Sequence, residues 1–75
     1  MTRKELNLYE MAHLYLKMEP WEVDSLSVEQ KEGLMALHEA IAPLNPVTGR
    51  HEWSRISAIE AAELVLAYES RYLRR

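Results

Sequence analysis

The sequence contains no cysteine. That excludes disulfides, thiolate metal sites, iron–sulfur clusters and cysteine nucleophiles, and it fits a reducing compartment. Phenylalanine is also missing, so Leu, Met, Ala, Trp and Tyr must build the core. The two glycines are too few for a phosphate-cradling or dinucleotide-binding loop. Three prolines, confined to two places, leave the chain short of the turn residues an all-β design needs, which favours long helices. No apolar run approaches the roughly 18 residues that would span a membrane. The start Met1-Thr2-Arg3-Lys4-Glu5 leads into an amphipathic stretch, not the apolar core of a signal peptide. The chain is therefore expected to be complete and cytoplasmic.

Positive charge is scarce and uneven. Nine Lys and Arg against twelve Asp and Glu give a net charge of −3, which weighs against a general nucleic-acid binder. Residues 1–46 carry four basic and eight acidic side chains, a balance of −4, while residues 47–75 carry five Arg and four Glu, a balance of +1. A hydrophobic share of 48% marks a globular chain. Seventy-five residues make one domain, spanning 1–75, near the lower size limit of self-sufficient folding.

Three capping boxes organise what is there. Thr2 and Glu5, with Met1 and Leu6 as a staple, predict a first helix over about 3–18. Ser27 and Gln30 open a second over about 28–42, and Ser57 and Glu60, with Ile56 and Ala61 as a staple, a third reaching about Leu73. Between the first two, Pro20 suits the first turn of a short helix, with Trp21 and Val23 as its anchors into the core. Gly33 interrupts the second helix at a cost of about 1 kcal/mol relative to Ala, and close helix approach is one reason to keep it. Pro43 and Pro46 end that helix and begin a long connection with turn chemistry, where a short extended piece near Val47 or Trp53 is the alternative to loop. The expected fold is all-α, a small three-helix domain with an extra one-turn helix near Pro20.

Catalytic chemistry is hard to place on these residues. Ser25, Ser27, Ser54, Ser57 and Ser70 read as caps or turn residues, with no nucleophile motif around them. Glu10 and His13 form one Glu-x-x-His pair, where a di-iron bundle needs two such pairs and further glutamates; His13 reads as a surface histidine, with metal ligation the lesser alternative. His38, beside Leu34, Leu37 and Ile41, reads as a partly buried histidine held by a backbone or carboxylate partner, and otherwise as a pH-sensitive contact. No enzyme activity, cofactor or metal is expected.

Binding is the more natural reading. Trp21 with the acidic Glu22 and Asp24 would suit a basic partner surface, although dipole-compatible carboxylates at a helix start explain the same pattern. Arg50 and Trp53, around His51 and Glu52, form a second candidate patch in the long loop. Tyr9, off the main stripe of the first helix, and Tyr72, near the end of the third, complete the candidate partner-binding set. Arg50, Arg55, Arg71, Arg74 and Arg75 could form a basic face. Against a helix-turn-helix reading, Ala58-Ile59-Glu60-Ala61-Ala62-Glu63 lacks the basic and amide side chains a recognition helix presents. A nucleic-acid-binding regulator is thus the alternative to a protein-binding module.

The first and third helices carry apolar faces too broad for a three-helix monomer to hide. Tyr9, Leu14 and Leu16 lie off the main stripe of the first, and Ile59, Leu66 and Leu73 off that of the third. A two-fold homodimer is the simplest closure, and a stable hetero-complex would hide the same surface. Trp21…Leu26-Ser27-Val28-Glu29…Leu34 also echoes Trp53…Ile56-Ser57-Ala58-Ile59-Glu60…Leu64, through duplication or because capped amphipathic helices look alike.

These two stretches, from Glu19 to Ser27 and from Glu52 to Glu60, together with the arginine-rich end from Tyr68 to Arg75, resemble small phage-encoded helical proteins, the tail-assembly chaperones nearest in style. The chain departs from that family in carrying no frameshift-like extension. The resemblance implies a non-catalytic viral or mobile-element protein that binds another protein in the host cytoplasm, as an assembly chaperone or an inhibitor.

Overall fold

The computed structural model describes residues 5–54 and 56–73, and these are mostly helical (65%). Four α-helices occur among them: α1 (Leu8–Leu16), α2 (Pro20–Asp24), α3 (Val28–Ile41) and α4 (Ala58–Tyr68). A π-helical turn, Glu69–Leu73, extends α4. A two-stranded antiparallel sheet, β1 (Leu44–Asn45) and β2 (Arg50–His51), joins α3 to the last helix. The strict all-α expectation thus gives way to a helical fold with a small hairpin.

The first helix starts five residues later than expected. Asn7 is its N-cap, accepting the Glu10 N–H at 2.8 Å. Asn outranks Thr at that position, and Asn7 with Glu10 has the same spacing as the box expected at Thr2. Thr2 and Met1 lie outside the described residues. Glu5 instead pairs as an antiparallel bridge with Glu52, and the Leu6 N–H donates to the His51 carbonyl at 3.0 Å. The segment before α1 therefore runs alongside β2 and drives Leu6 fully into the core. At its other end α1 stops at Leu16, because Lys17 turns left-handed (φ 59°). The N–H groups of Lys17 and Met18 then satisfy the His13 and Ala12 carbonyls, the Lys17 bond being that of an αL cap.

The remaining caps follow the sequence more closely. Pro20 occupies the first turn of α2, and the Glu19 N–H donates to Glu22 Oε1 at 2.9 Å. Ser27 and Gln30 form the full reciprocal box at α3. At α4 half of the box forms: Ser57 Oγ accepts the Glu60 N–H, while the Glu60 carboxylate takes the Ser57 hydroxyl. Ser54 closes the far end of α3, its N–H and hydroxyl both donating to the Ile41 carbonyl at 3.0 and 2.7 Å.

Helix α3 packs against α1 and against α4 with its π turn, and α2 packs on α1. The core between them is Leu6, Met11, Leu16, Met18, Val23, Leu34, Leu37, Ile41 and Tyr68 with small alanines. Val23 is the α2 anchor; Trp21, expected beside it, is 66% exposed. In five residues α2 makes barely more than one turn, so Val23 and Trp21 cannot share a face. The hairpin places Val47 in its turn, not in a strand, and Gly49 (φ 71°) supplies the left-handed residue that closes it. Asn45 Oδ1 holds the Val47 N–H, and its amide reaches Glu52 Oε1.

Candidate docking groove

Helices α1 and α4 do not close on each other, and an apolar groove of about 660 Å³ runs between them. Tyr15, Ile56, Ala61 and Val65, all buried or half-buried, form its floor. Leu14 stands on the α1 bank and Ala62 and Leu66 on the α4 bank. Leu14 is 48% exposed and Leu66 63%. Trp53 closes the end next to the start of α4, its ring tilted against Tyr15 with centroids 5.7 Å apart. Burial pushes the Tyr15 phenol above its ordinary value. Lys17 is the charged side chain of the lining.

The groove forms because the small side chains of α4 face α1. Ala58, Ala61 and Ala62 leave room where larger residues would fill the space. Leu16 and Leu73, expected on the unhidden faces, fold inward: Leu16 is buried and Leu73 half-buried. Leu14, Ile59 and Leu66 stay out. The broad-face reading therefore holds for part of each helix and fails for the rest.

The candidate partner-binding residues are spread over the molecule. Trp53 lines the groove. Tyr9 and Asp24 come together between α1 and α2, where the Tyr9 hydroxyl donates to Asp24 Oδ1 at 2.7 Å, while Trp21 and Glu22 line a different hollow with Leu26, Gln30 and Leu73. The Asp24 carboxylate raises the Tyr9 phenol, first through the hydrogen bond and then through its charge. Arg50 lines a separate hollow with Met35, His38 and Leu44, so it shares no patch with Trp53. Tyr72 is half-buried, its ring 5.1 Å from Tyr68 and under the Arg71 guanidinium. The Arg55, Arg74 and Arg75 part of the basic face lies outside the described residues. Leu14, Tyr15, Lys17 and Leu66 were absent from the set, although the off-stripe positions of Leu14 and Leu66 signalled two of them.

The histidines divide sharply. His13 is exposed, 3.7 Å from Glu19 Oε1. His38 is buried, with Nε2 2.6 Å from the Leu6 carbonyl. A carbonyl only accepts, so Nε2 carries the proton. His51 stacks on His38 with centroids 4.3 Å apart, and its Nδ1 lies 2.8 Å from the Ala42 carbonyl and 3.6 Å from Glu39 Oε2. The pair ties the Leu6 backbone, the end of α3 and β2 into one unit. Among the described residues no three His, Asp or Glu side chains are grouped to hold a metal ion, and no helix is long and apolar enough to cross a membrane.

Comparison of the chain with protein-family models, curated proteins and solved structures returned no match.

Proposed function

We propose that this chain is a non-catalytic protein-docking module and that the groove between α1 and α4 is its docking surface. One observation carries the reading: Leu14 and Leu66 stand half-exposed or more on facing banks above a continuous apolar floor. Burying a leucine is worth about 1.5–3 kcal/mol, so a partner that covers both banks gains more than their exposure could return to the isolated chain. The shape suits the apolar side of a helix, the recognition mode in which residues at i, i+3 and i+7 anchor in a cleft. The resemblance to phage tail-assembly chaperones supports an assembly or inhibitory role within this class. For the alternative regulator, exposed Glu60 and Glu63 stand on the first turns of α4, where a phosphate backbone would be repelled.

Site-specific photocrosslinking tests the docking reading. A photoreactive residue at Leu14 or Leu66 should give discrete protein adducts in the producing cell, and the same group at exposed Lys31 on α3 should not. Equal labelling from all three positions, or none from the groove, would refute it.

A further inference from the structure

We infer that the partner segment taken up by the groove is a basic amphipathic helix, one whose apolar stripe is flanked by Lys or Arg on both sides; this rests on the docking reading above. The observation behind it is a matched pair of carboxylates. Glu10 stands one turn before Leu14 on α1, and Glu63 three residues before Leu66 on α4. Those spacings make side chains neighbours on a helix surface. Both glutamates are exposed, and neither lines the groove itself. Each bank is thus a leucine with a carboxylate on its outer side.

Among the described residues, no cationic side chain pairs with either carboxylate; the ion pairs are His13 with Glu19 and His51 with Glu39. Lys17 also lines the groove, but it shares a neighbouring hollow with Glu22 and Glu69, so the rim keeps its acidic excess. A helix lying in the groove has one flank over α1 and one over α4, and each flank meets a glutamate. Cations on both flanks complement that rim, and carboxylates there are repelled.

The α1 side also offers such a cation a seat. Leu14 belongs both to the groove and to a second hollow of about 360 Å³, lined by Tyr9, Glu10, His13, Glu19 and Pro20. No Lys or Arg lines that hollow. A long basic side chain crossing Leu14 lays its methylenes along Tyr9 and Pro20 and sets its charge beside Glu10 and Glu19.

Fluorescence anisotropy with three labelled peptides tests this on the whole chain. The first carries Leu at i, i+3, i+4 and i+7 with Lys on both flanks. The second has the same stripe with Glu on both flanks, and the third scrambles the first so that no stripe remains. The Lys-flanked peptide should bind about tenfold tighter than the Glu-flanked one, the sum of a few exposed charge pairs. Scrambling should cost about tenfold or more, the worth of one buried leucine. Glu10→Lys combined with Glu63→Lys, both at exposed positions, should reverse the charge preference with helical circular dichroism unchanged. Equal binding of the two striped peptides, a preference that survives the double variant, or no binding by any peptide would overturn the inference. The adducts formed at Leu14 and Leu66 separate it from the docking reading. An adduct that maps to a Lys- or Arg-flanked helix supports both. One that maps to an acidic segment, or to a second copy of this chain, keeps the docking site and removes the basic partner, and no groove adduct removes both.

Discussion

The Tyr72 ring occupies the space that a side chain at residue 33 would need. A Cβ built on Gly33 falls 2.7 Å from Tyr72 Cζ and 2.9 Å from Cδ2, closer than carbon atoms pack. Tyr72 is fixed there from several sides. Gln30 Nε2 donates to its carbonyl at 2.9 Å, and its ring stacks on Tyr68. The π turn, with its i→i+5 bonding, carries Tyr72 across the α3 surface.

Gly33→Ala sets two effects against each other. Helix propensity favours Ala by about 1 kcal/mol, while forcing a methyl into an occupied site costs about 1–3 kcal/mol. The clash should win in the wild-type background, giving net destabilisation in urea unfolding. In a Tyr72→Ala background the sign should reverse, because the obstruction is gone. An equal effect in both backgrounds would show that the ring is not the cause.

Much of this fold was legible because capping chemistry is local. Ser27, Ser57 and Pro20 fix helix starts through hydrogen bonds within a few residues, and those starts fall where the spacing puts them. The first helix was misplaced because Thr2-x-x-Glu5 and Asn7-x-x-Glu10 are both plausible boxes, and the choice is made by distant groups. The His51 carbonyl and the His38 ring take up the backbone of Leu6 from 45 and 32 positions away. The groove was half legible. Periodicity picked out Leu14 and Leu66, but which off-stripe residues another helix covers is a tertiary outcome. Leu16 is covered and Leu14 is not, although both stood equally off the stripe.

Asn7→Ala should destabilise the protein by about 1 kcal/mol, the usual worth of an N-cap side chain. Asn7→Asp should be close to neutral or stabilising, since it keeps the acceptor and adds negative charge at a helix start. Thermal unfolding of the three proteins checks both. An inert Asn7→Ala would place the helix start elsewhere.

His38→Leu keeps the bulk and removes the donor that satisfies the buried Leu6 carbonyl. Leaving that carbonyl unpaired should cost about 1–3 kcal/mol. His13→Leu, on the surface, should change stability by no more than about 0.5 kcal/mol. Hydrogen exchange should also show faster opening of the Leu6 amide in the His38 variant, because its bond to His51 loses a neighbouring support. Equal costs at the two histidines would contradict the assigned role of His38.

Alkaline stability should depend on Tyr68. Its ring is buried and its hydroxyl donates to the Gln30 carbonyl at 3.0 Å. Burial, and then the neighbouring Tyr72, raise the phenol above its ordinary 10.0. The folded chain therefore holds this proton at a pH where the unfolded chain has lost it. Stability falls with pH wherever the folded state binds more protons. The contribution is complete below pH 10.0 and disappears as pH rises through the raised native value. Tyr68→Phe should cost about 1 kcal/mol at neutral pH through the lost hydrogen bond. It should also flatten the alkaline decline, leaving the share that Tyr15, raised by burial, and Tyr9, raised by Asp24, provide. Urea unfolding across the alkaline range, with tyrosinate absorbance followed on the same samples, measures both. A decline equally steep in the variant would mean that Tyr68 ionises as freely in the folded chain as in the unfolded one.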